Sequence, residues 1–209
     1  MVIKPLSSDP ARLLLKVIVI EAWRLHDAVS ASTVAPSGTE LAVCTDPEKD
    51  YERDLTWIKP SFLWMMYRCG WGLKQDHETV LAVEITREGF DWALRHACLS
   101  HYAPGLHADQ AAWKRALRRA PARVQWDPER DVHLNPLPYR SLQLGLAGEA
   151  AGRYADEWTV SVTDVTPLTH EIHALVRAGD TATAERLLPG ERVYPAGAEA
   201  LAHLGGTTP

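Results

Sequence analysis

The apolar residues of this chain follow two different spacings, and each spacing predicts one kind of secondary structure. Between Thr56 and Gly72, four apolar side chains stand at positions i, i+3, i+4 and i+7, and these are Phe62, Met65, Met66 and Cys69. This spacing is typical of one face of a helix, and further apolar residues beside that face indicate a buried helix. Pro60 suits the first helical position, and Gly70 suits the left-handed residue after the last one.

Strict alternation of apolar and polar residues marks the segment from Tyr139 to Leu146 as a strand. One face carries three leucines, and the other carries Ser141, Gln143 and Gly145. The leucine face belongs in the core, while the opposite face is either exposed to solvent or the wall of a pocket. The other predicted strands are Leu13–Ala22, Val80–Ile85, Ala122–Trp126 and Trp158–Val165.

Further helices are predicted from apolar periodicity and from capping residues, with Thr86 and Asp109 as N-caps of the first two. They are Arg87–Cys98, Gln110–Arg119, Gly148–Glu157, Pro167–Val176 and Thr181–Leu188. This mixed order predicts a single α+β domain in which helices flank one mixed, mainly antiparallel sheet. Neither a Gly-rich phosphate loop nor a steady βαβ order is present, which argues against a doubly wound parallel sheet.

The length of 209 residues favours one domain with a tail. Residues 1–53 form an N-terminal segment of strand, helix and loop without a sustained period. Residues 54–189 contain the regular pattern and form the predicted domain core. From residue 190 to 209 Gly, Pro and Ala dominate, which predicts a flexible C-terminal tail.

Composition narrows the classes of partner and compartment. A net charge of −5 argues against non-specific binding of nucleic acid, but a protein with this net charge can still have a local basic face. No apolar run is long enough to span a bilayer, so we expect no membrane partner. The three cysteines are widely spaced and odd in number, which suits a reducing compartment. We therefore predict a soluble, cytoplasmic protein.

Motifs for metal binding and for common catalytic machinery are missing. The nearest candidates for zinc ligands are five histidines, but their spacing matches no established ligand pattern, so no metal site is predicted. They are His96, His101, His107, His170 and His173. The chain has no nucleophile elbow and no P-loop. Cys69 and Cys98 are candidate nucleophiles only if a histidine lies near them in the fold.

Polar residues set among aromatic ones provide the candidate ligand site. The predicted ligand-binding residues are Trp57, Lys59, Arg68, Trp71, Arg130, Tyr139, Arg140 and Gln143. If the polar face of the Tyr139 strand borders the helix start near Lys59, these residues form a cleft with cations, stacking rings and amide donors. Such a cleft suits a phosphate-bearing ligand with a ring to stack, such as a nucleotide or NAD. The alternative is that Asp127 pairs with Arg130 and that these residues only stabilise loops.

Several long segments together resemble domain-of-unknown-function family 4291. They are TWIKPSFLWMMYRCGWG, VLAVEITREGFDWAL, VQWDPERD, LPYRSLQLGL and YADEWTVSVTDVT, and they cover about residues 54–189. The N-terminal part diverges from the family pattern, because its link into the Trp57 segment is acidic where the family has a basic one. The resemblance implies a fold and a set of signature residues more than a reaction.

The arrangement of elements is also similar, at the level of fold, to ADP-ribosyltransferase-like domains. This similarity implies that Lys59 and Arg140 hold a pyrophosphate and that Glu84 or Glu129 is the catalytic carboxylate, which stabilises an oxocarbenium-like state. NAD would then be the cofactor. Two alternatives stay open: a non-enzymatic module that binds a nucleotide or an RNA end, and a protein-interaction domain. The sequence does not distinguish an enzyme from a binding module, and it does not indicate the oligomeric state.

Overall fold

The computed structural model describes residues 14–19 and 55–205. Apart from residues 14–19, the predicted N-terminal segment 1–53 lies outside the described residues, as does Cys44. The described chain folds as seven strands and seven α-helices, which confirms the predicted α+β class with mainly antiparallel strand pairing. None of the described helices combines the length and the apolar character needed to cross a membrane.

The strands form two sheets, where periodicity alone predicted one. The three-stranded sheet contains β1 (Leu14–Val19), β3 (Leu81–Thr86) and β7 (Thr159–Asp164), in the order β1-β3-β7 and antiparallel throughout. The four-stranded sheet contains β2 (Thr56–Ile58), β4 (Ala97–Leu99), β5 (Ala122–Arg130) and β6 (Pro136–Leu146), in the order β2-β6-β5-β4. Only the β4–β5 pair in these sheets is parallel.

A side chain at the N-cap accepts from an early amide in four of the seven α-helices that the structure describes. The seven are α1 (Phe62–Cys69), α2 (Arg87–His96), α3 (Gln110–Arg119), α4 (Glu149–Arg153), α5 (Thr166–Arg177), α6 (Thr181–Leu187) and α7 (Ala198–Ala202). Thr86 and Asp109 cap α2 and α3 as predicted, each accepting a hydrogen bond from an amide three residues on. Helix α1 starts at Phe62, two residues after Pro60, because Ser61 is its N-cap.

Two of the boundaries that differ from the prediction shape the four-stranded sheet. The predicted helix Arg87–Cys98 ends at His96, because Ala97 and Cys98 pair with β5 as part of β4. Strand β5 continues to Arg130 through a segment that its prolines predicted to be a loop, with a β-bulge between Pro128 and Arg130. This extension is what places Asp127 and Glu129 in the sheet.

Strand β3 separates two apolar cores. Val83 and Ile85 point into the first core, which lies on the leucine face of β6 and includes Phe90 of α2. Ala82 points the other way, into a second core built mainly from α1 and α5. The alternation of β3 therefore serves both cores, since successive side chains of a strand point to opposite faces.

The C-terminal segment packs onto the domain as far as Gly205. Tyr194 packs edge-on against Phe90, and its hydroxyl donates to Asp91 at 2.8 Å. The Trp126 indole donates to the carbonyl of Leu204 at 2.9 Å. The buried residues of this segment include two alanines, and Gly, Pro and Ala dominate its sequence, so composition did not indicate these contacts.

We predict that Gly89→Ala destabilises the protein, because a Cβ at this position of α2 would overlap the buried ring of Trp158. Overpacking of this kind costs about 1–3 kcal/mol, which urea denaturation would measure. The matched control is Gly152→Ala in α4, where a Cβ meets nothing within 4 Å. The control should be as stable as the wild type or slightly more stable, because alanine favours a helix over glycine by about 1 kcal/mol. Equal stability of the two variants would contradict the prediction.

Candidate functional site

The four-stranded sheet has one apolar face and one polar face. Leu142, Leu144 and Leu146 of β6 are fully buried in the first core, as the alternation predicted. On the opposite face, Ser141 is paired with Asp127 of β5 in the register of the strands. Directly paired residues share a face of the sheet. The polar half of the alternation is therefore continued on the neighbouring strand.

Lys59 follows β2 and is buried completely beside this polar face. Its Nζ lies 3.4 Å from Oδ2 of Asp127 and donates to the carbonyl oxygen of Ser141 at 3.1 Å. The ring of Trp64 lies 4.6 Å from Nζ, measured to the ring centroid. Lys59 therefore joins the strand before α1 to both long strands of the sheet, and its charge has a carboxylate partner inside the protein.

Ser61 and Glu129 form a second buried contact next to this ion pair. The Ser61 hydroxyl donates to Oε1 of Glu129 at 2.6 Å and accepts from the backbone N–H of Trp64 at 3.3 Å. The backbone N–H of Arg130 also donates to Oε1, at 3.0 Å. We call Lys59, Ser61, Asp127, Glu129 and Ser141 the polar cluster. Its members come from the start of α1 and from β5 and β6.

Two polar atoms of the cluster are buried without a hydrogen-bond partner, as judged within the part of the chain that the structure describes. They are Oε2 of Glu129 and Oγ of Ser141. Glu129 is 2% exposed and Ser141 is 0% exposed, so bulk water is not available to hydrogen-bond these atoms. Buried polar atoms nearly always have a partner, and one without a partner calls for a specific explanation, such as a bound water, ion or ligand.

The first free amide of α1 is occupied by a third carboxylate. The backbone N–H of Phe62 donates to Oε1 of Glu191 at 2.9 Å. A negative charge at a helix N-terminus is favourable, because the amides there carry a partial positive charge. Glu191 comes from the C-terminal segment, and no local pattern in the sequence indicated that it reaches this helix.

Burial and the neighbouring carboxylates shift the pKa of Lys59 in opposite directions. Burial lowers its pKa to about 8, although Asp127, Glu129 and Glu191 each favour the charged form. The desolvation of the ammonium group therefore outweighs the attraction of its acidic neighbours.

The predicted ligand-binding residues of β2 and β6 lie along the same sheet. The Trp57 ring covers Gly145, where an added Cβ would lie 3.0 Å from the ring. Gln143 is paired with Gln125 on the polar face. Tyr139 is half-buried near the start of β6. Its neighbour Arg140 is exposed and donates to the carbonyl of Trp126 at 2.7 Å.

The other predicted ligand-binding residues lie near the outer end of α1. The Arg130 guanidinium stacks on Tyr67, 3.7 Å from the ring centroid. Arg68 is exposed in the last turn of α1. Trp71 is buried in the second core, where its ring stacks on His173 with centroids 5.5 Å apart.

The two candidate catalytic carboxylates lie in different sheets. Glu129 belongs to the polar cluster on β5. Glu84 lies on β3, and its carboxylate accepts from the Ser161 hydroxyl of β7 at 2.7 Å. The structure therefore brings Lys59 and Glu129 together, whereas the contact of Glu84 with Ser161 lies within the three-stranded sheet.

One cysteine has a histidine beside it. Cys98 Sγ lies 3.9 Å from Nε2 of His107, and burial raises the pKa of the Cys98 thiol although Arg123 opposes this effect. Cys69 is fully buried in the second core. Among the described residues, no group of three or more His, Cys, Asp or Glu side chains is placed to hold a metal ion.

Comparison with known proteins gives one match. A family model described as "Domain of unknown function (DUF4291)" matches residues 34–194, which confirms the family resemblance of the sequence motifs. No curated protein and no solved structure matched the chain.

We predict a characteristic pH dependence of stability from Lys59. Its pKa in the folded protein, about 8, is below the ordinary value of 10.5 expected in the unfolded chain. Between these pH values the unfolded state binds more protons, so the stability contributed by Lys59 rises with pH in this window. The full change is on the order of 3 kcal/mol.

The measurement is the free energy of unfolding of the wild type minus that of Lys59→Met, from urea titrations at pH 7, 8, 9 and 10. This difference should increase from pH 8 upward. At neutral pH it should already favour the wild type, because the variant leaves Asp127 buried without its cation. Lys74→Met is the control, since Lys74 is exposed. A difference for Lys59 that stays constant with pH would contradict a depressed pKa.

Proposed function

Because the chain belongs to the family described as "Domain of unknown function (DUF4291)", which specifies no reaction, we propose its function from the polar cluster. We propose that the cluster binds a phosphate-bearing ligand of the nucleotide class, with NAD as the leading candidate. In this proposal Glu129 is the catalytic carboxylate, and the reaction is transfer of an ADP-ribosyl group.

The observation that carries the proposal is the state of the Glu129 carboxylate. Ser61 and the backbone N–H of Arg130 hold one oxygen in place, and the other oxygen is buried without a partner. A carboxylate oriented in this way is ready to accept a hydrogen bond from a ligand hydroxyl, such as one of a ribose. The bound ligand would remove the penalty of an unsatisfied buried acceptor.

The charges of the cluster support a reaction in which positive charge develops. With its carboxylates ionised, the cluster carries one positive charge on Lys59 against two negative charges on Asp127 and Glu129, and Glu191 adds a third nearby. A preorganised site with net negative charge stabilises an oxocarbenium-like transition state. The bond from the ribose carbon to nicotinamide breaks, its electron pair leaves on nicotinamide, and an acceptor nucleophile bonds to the same carbon and loses a proton.

A binding module without chemistry is the second candidate. It is favoured by the burial of the cluster, since Lys59 and Ser141 are completely buried and Glu129 is 2% exposed. In such a module Glu129 and Ser141 would recognise ligand hydroxyls, and no bond would break.

We predict that NAD and ADP-ribose bind the wild type in calorimetric titrations and that Glu129→Gln weakens binding at least tenfold. The substitution keeps the shape of the side chain and an acceptor for Ser61, and it replaces the unpartnered oxygen by an NH₂ group. Glu185→Gln on α6 is the matched control, because Glu185 is exposed, and it should bind like the wild type. Thermal denaturation of each variant establishes that it is folded.

Release of nicotinamide from NAD separates the two candidates. If the wild type releases nicotinamide and the rate of release falls about 100-fold or more in Glu129→Gln, the result supports catalysis, because loss of one transition-state interaction has effects of this size. Binding without release supports the binding module. Failure of both ligands to bind the wild type at millimolar concentration would overturn the proposal.

A further inference from the structure

An open depression at the outer end of α1 lies apart from the polar cluster. Its volume is about 510 Å³, and it is lined by Tyr67, Arg68, Gly70, Leu73 and Lys74. We call these five residues the α1-end site. Ser61 caps the other end of α1, about 10 Å away at the helical rise of about 1.5 Å per residue. The two places are therefore separated by little more than the length of the helix.

The charge of the α1-end site is opposite to that of the protein as a whole. The chain carries a net charge of −5, yet the ionisable groups that line the depression include two cations and no carboxylate. Within residues 55–205 neither the Arg68 nor the Lys74 side chain has an ion-pair or hydrogen-bond partner, and both are exposed. Arg130 adds a third cation, because its guanidinium packs on Tyr67.

The site also presents apolar surface. Tyr67 is 48% exposed and Leu73 is 60% exposed, which places them among the exposed large hydrophobic residues of the described chain. Arg130 covers one face of the Tyr67 ring at 3.7 Å from its centroid and holds the ring in place. A ring with one face packed and the other accessible is suited to stacking with a flat ligand.

The turn that supplies Gly70 to the lining of the depression is held in place by its packing. Gly70, Trp71 and Gly72 all have positive φ, at 57°, 62° and 72°. For tryptophan this conformation is unfavourable, and it is held by the buried ring, which stacks on His173 and packs edge-on against Phe62. The backbone N–H of Lys74 also donates to the Cys69 carbonyl at 3.2 Å. A ligand would therefore meet a preformed surface and order little of it on binding.

From these observations we infer that the α1-end site binds the phosphate and the aromatic base of a nucleoside phosphate. Arg68 offers a fork of N–H donors that fits phosphate oxygens, and Lys74 adds a compact positive charge. Tyr67 stacks on the base. The volume lies within the range of about 300–1,000 Å³ that is usual for small-molecule sites.

This inference extends the proposed function. It rests on that function in one respect, namely that the α1-end site and the polar cluster bind the same ligand. Phosphate is unfavourable in the polar cluster itself, where three carboxylates surround Lys59. The α1-end site supplies the cations that the phosphate needs, and the cluster supplies the carboxylate for the sugar that reacts. Binding of a simple nucleoside monophosphate requires only the α1-end site.

The test is calorimetric titration of the full chain with AMP, adenosine, inorganic phosphate and ADP-ribose. We expect AMP to bind the wild type and the double variant Arg68→Ala, Lys74→Ala to bind it at least tenfold more weakly. Tyr67→Ala should weaken AMP more than phosphate, because it removes the stacking partner only. Arg119→Ala is the matched control, since Arg119 is an exposed arginine in the last turn of α3, and it should bind AMP like the wild type.

Two comparisons determine the source of the phosphate and separate this inference from the proposed function. The first compares AMP with a 5′-phosphorylated oligonucleotide. If the oligonucleotide binds more tightly and loses the same affinity in the double variant, the source is a nucleic-acid end. If it binds equally or more weakly, the source is the free nucleotide. Both results support the site. If Glu129→Gln still binds AMP and also binds ADP-ribose like the wild type, the result supports the α1-end site and overturns the role of the polar cluster. Absence of AMP binding by the wild type, or AMP binding unchanged in the double variant, overturns the inference.

Discussion

The arrangement of the candidate site depends on one buried ion pair, that between Lys59 and Asp127. It joins residues 68 positions apart, and the further bond from Lys59 to the Ser141 carbonyl spans 82 positions. A well-packed apolar pair would stabilise the fold at least as well, because burying charges carries a desolvation penalty that the attraction offsets only in part. The ion pair instead constrains geometry. Because Nζ contacts partners on both β5 and β6, it limits the path of the chain between β2 and the start of α1.

The start of α1 in turn fixes the geometry around Glu129. Ser61 caps the helix with the same hydroxyl that donates to Glu129, so the helix start and the carboxylate orientation are set by one side chain. Glu191, from outside the helix, occupies the first amide, that of Phe62. The C-terminal segment that delivers Glu191 is itself held by Tyr194 and Leu204 in the first core. Core packing far along the chain therefore contributes to the electrostatics at Lys59.

The extent to which this structure was predictable follows from the range of each interaction. Alternation in β6 identified its core face correctly, and the caps at Thr86 and Asp109 were readable, because these features depend on residues within a few positions. Periodicity carries no information on which strands pair, so the division into two sheets was not predictable. The same limit applies to the partner of Lys59. The alternative interpretation of the sequence paired Asp127 with Arg130, whereas the structure pairs Asp127 with Lys59, which follows β2.

The two ends of α1 carry opposite electrostatic environments, and this contrast gives the proposed ligand an orientation. Carboxylates lie at the start of the helix, whereas the cations Arg68 and Lys74 lie in its last turn and just after it. Arg130 connects the two, since its backbone N–H contacts Glu129 while its guanidinium packs on Tyr67. A ligand with an anionic end and a neutral sugar end would be repelled if it bound in reverse. Like-charge repulsion thus adds selectivity to the attraction at each end, and the length of α1 sets the separation between the two groups that the ligand must present.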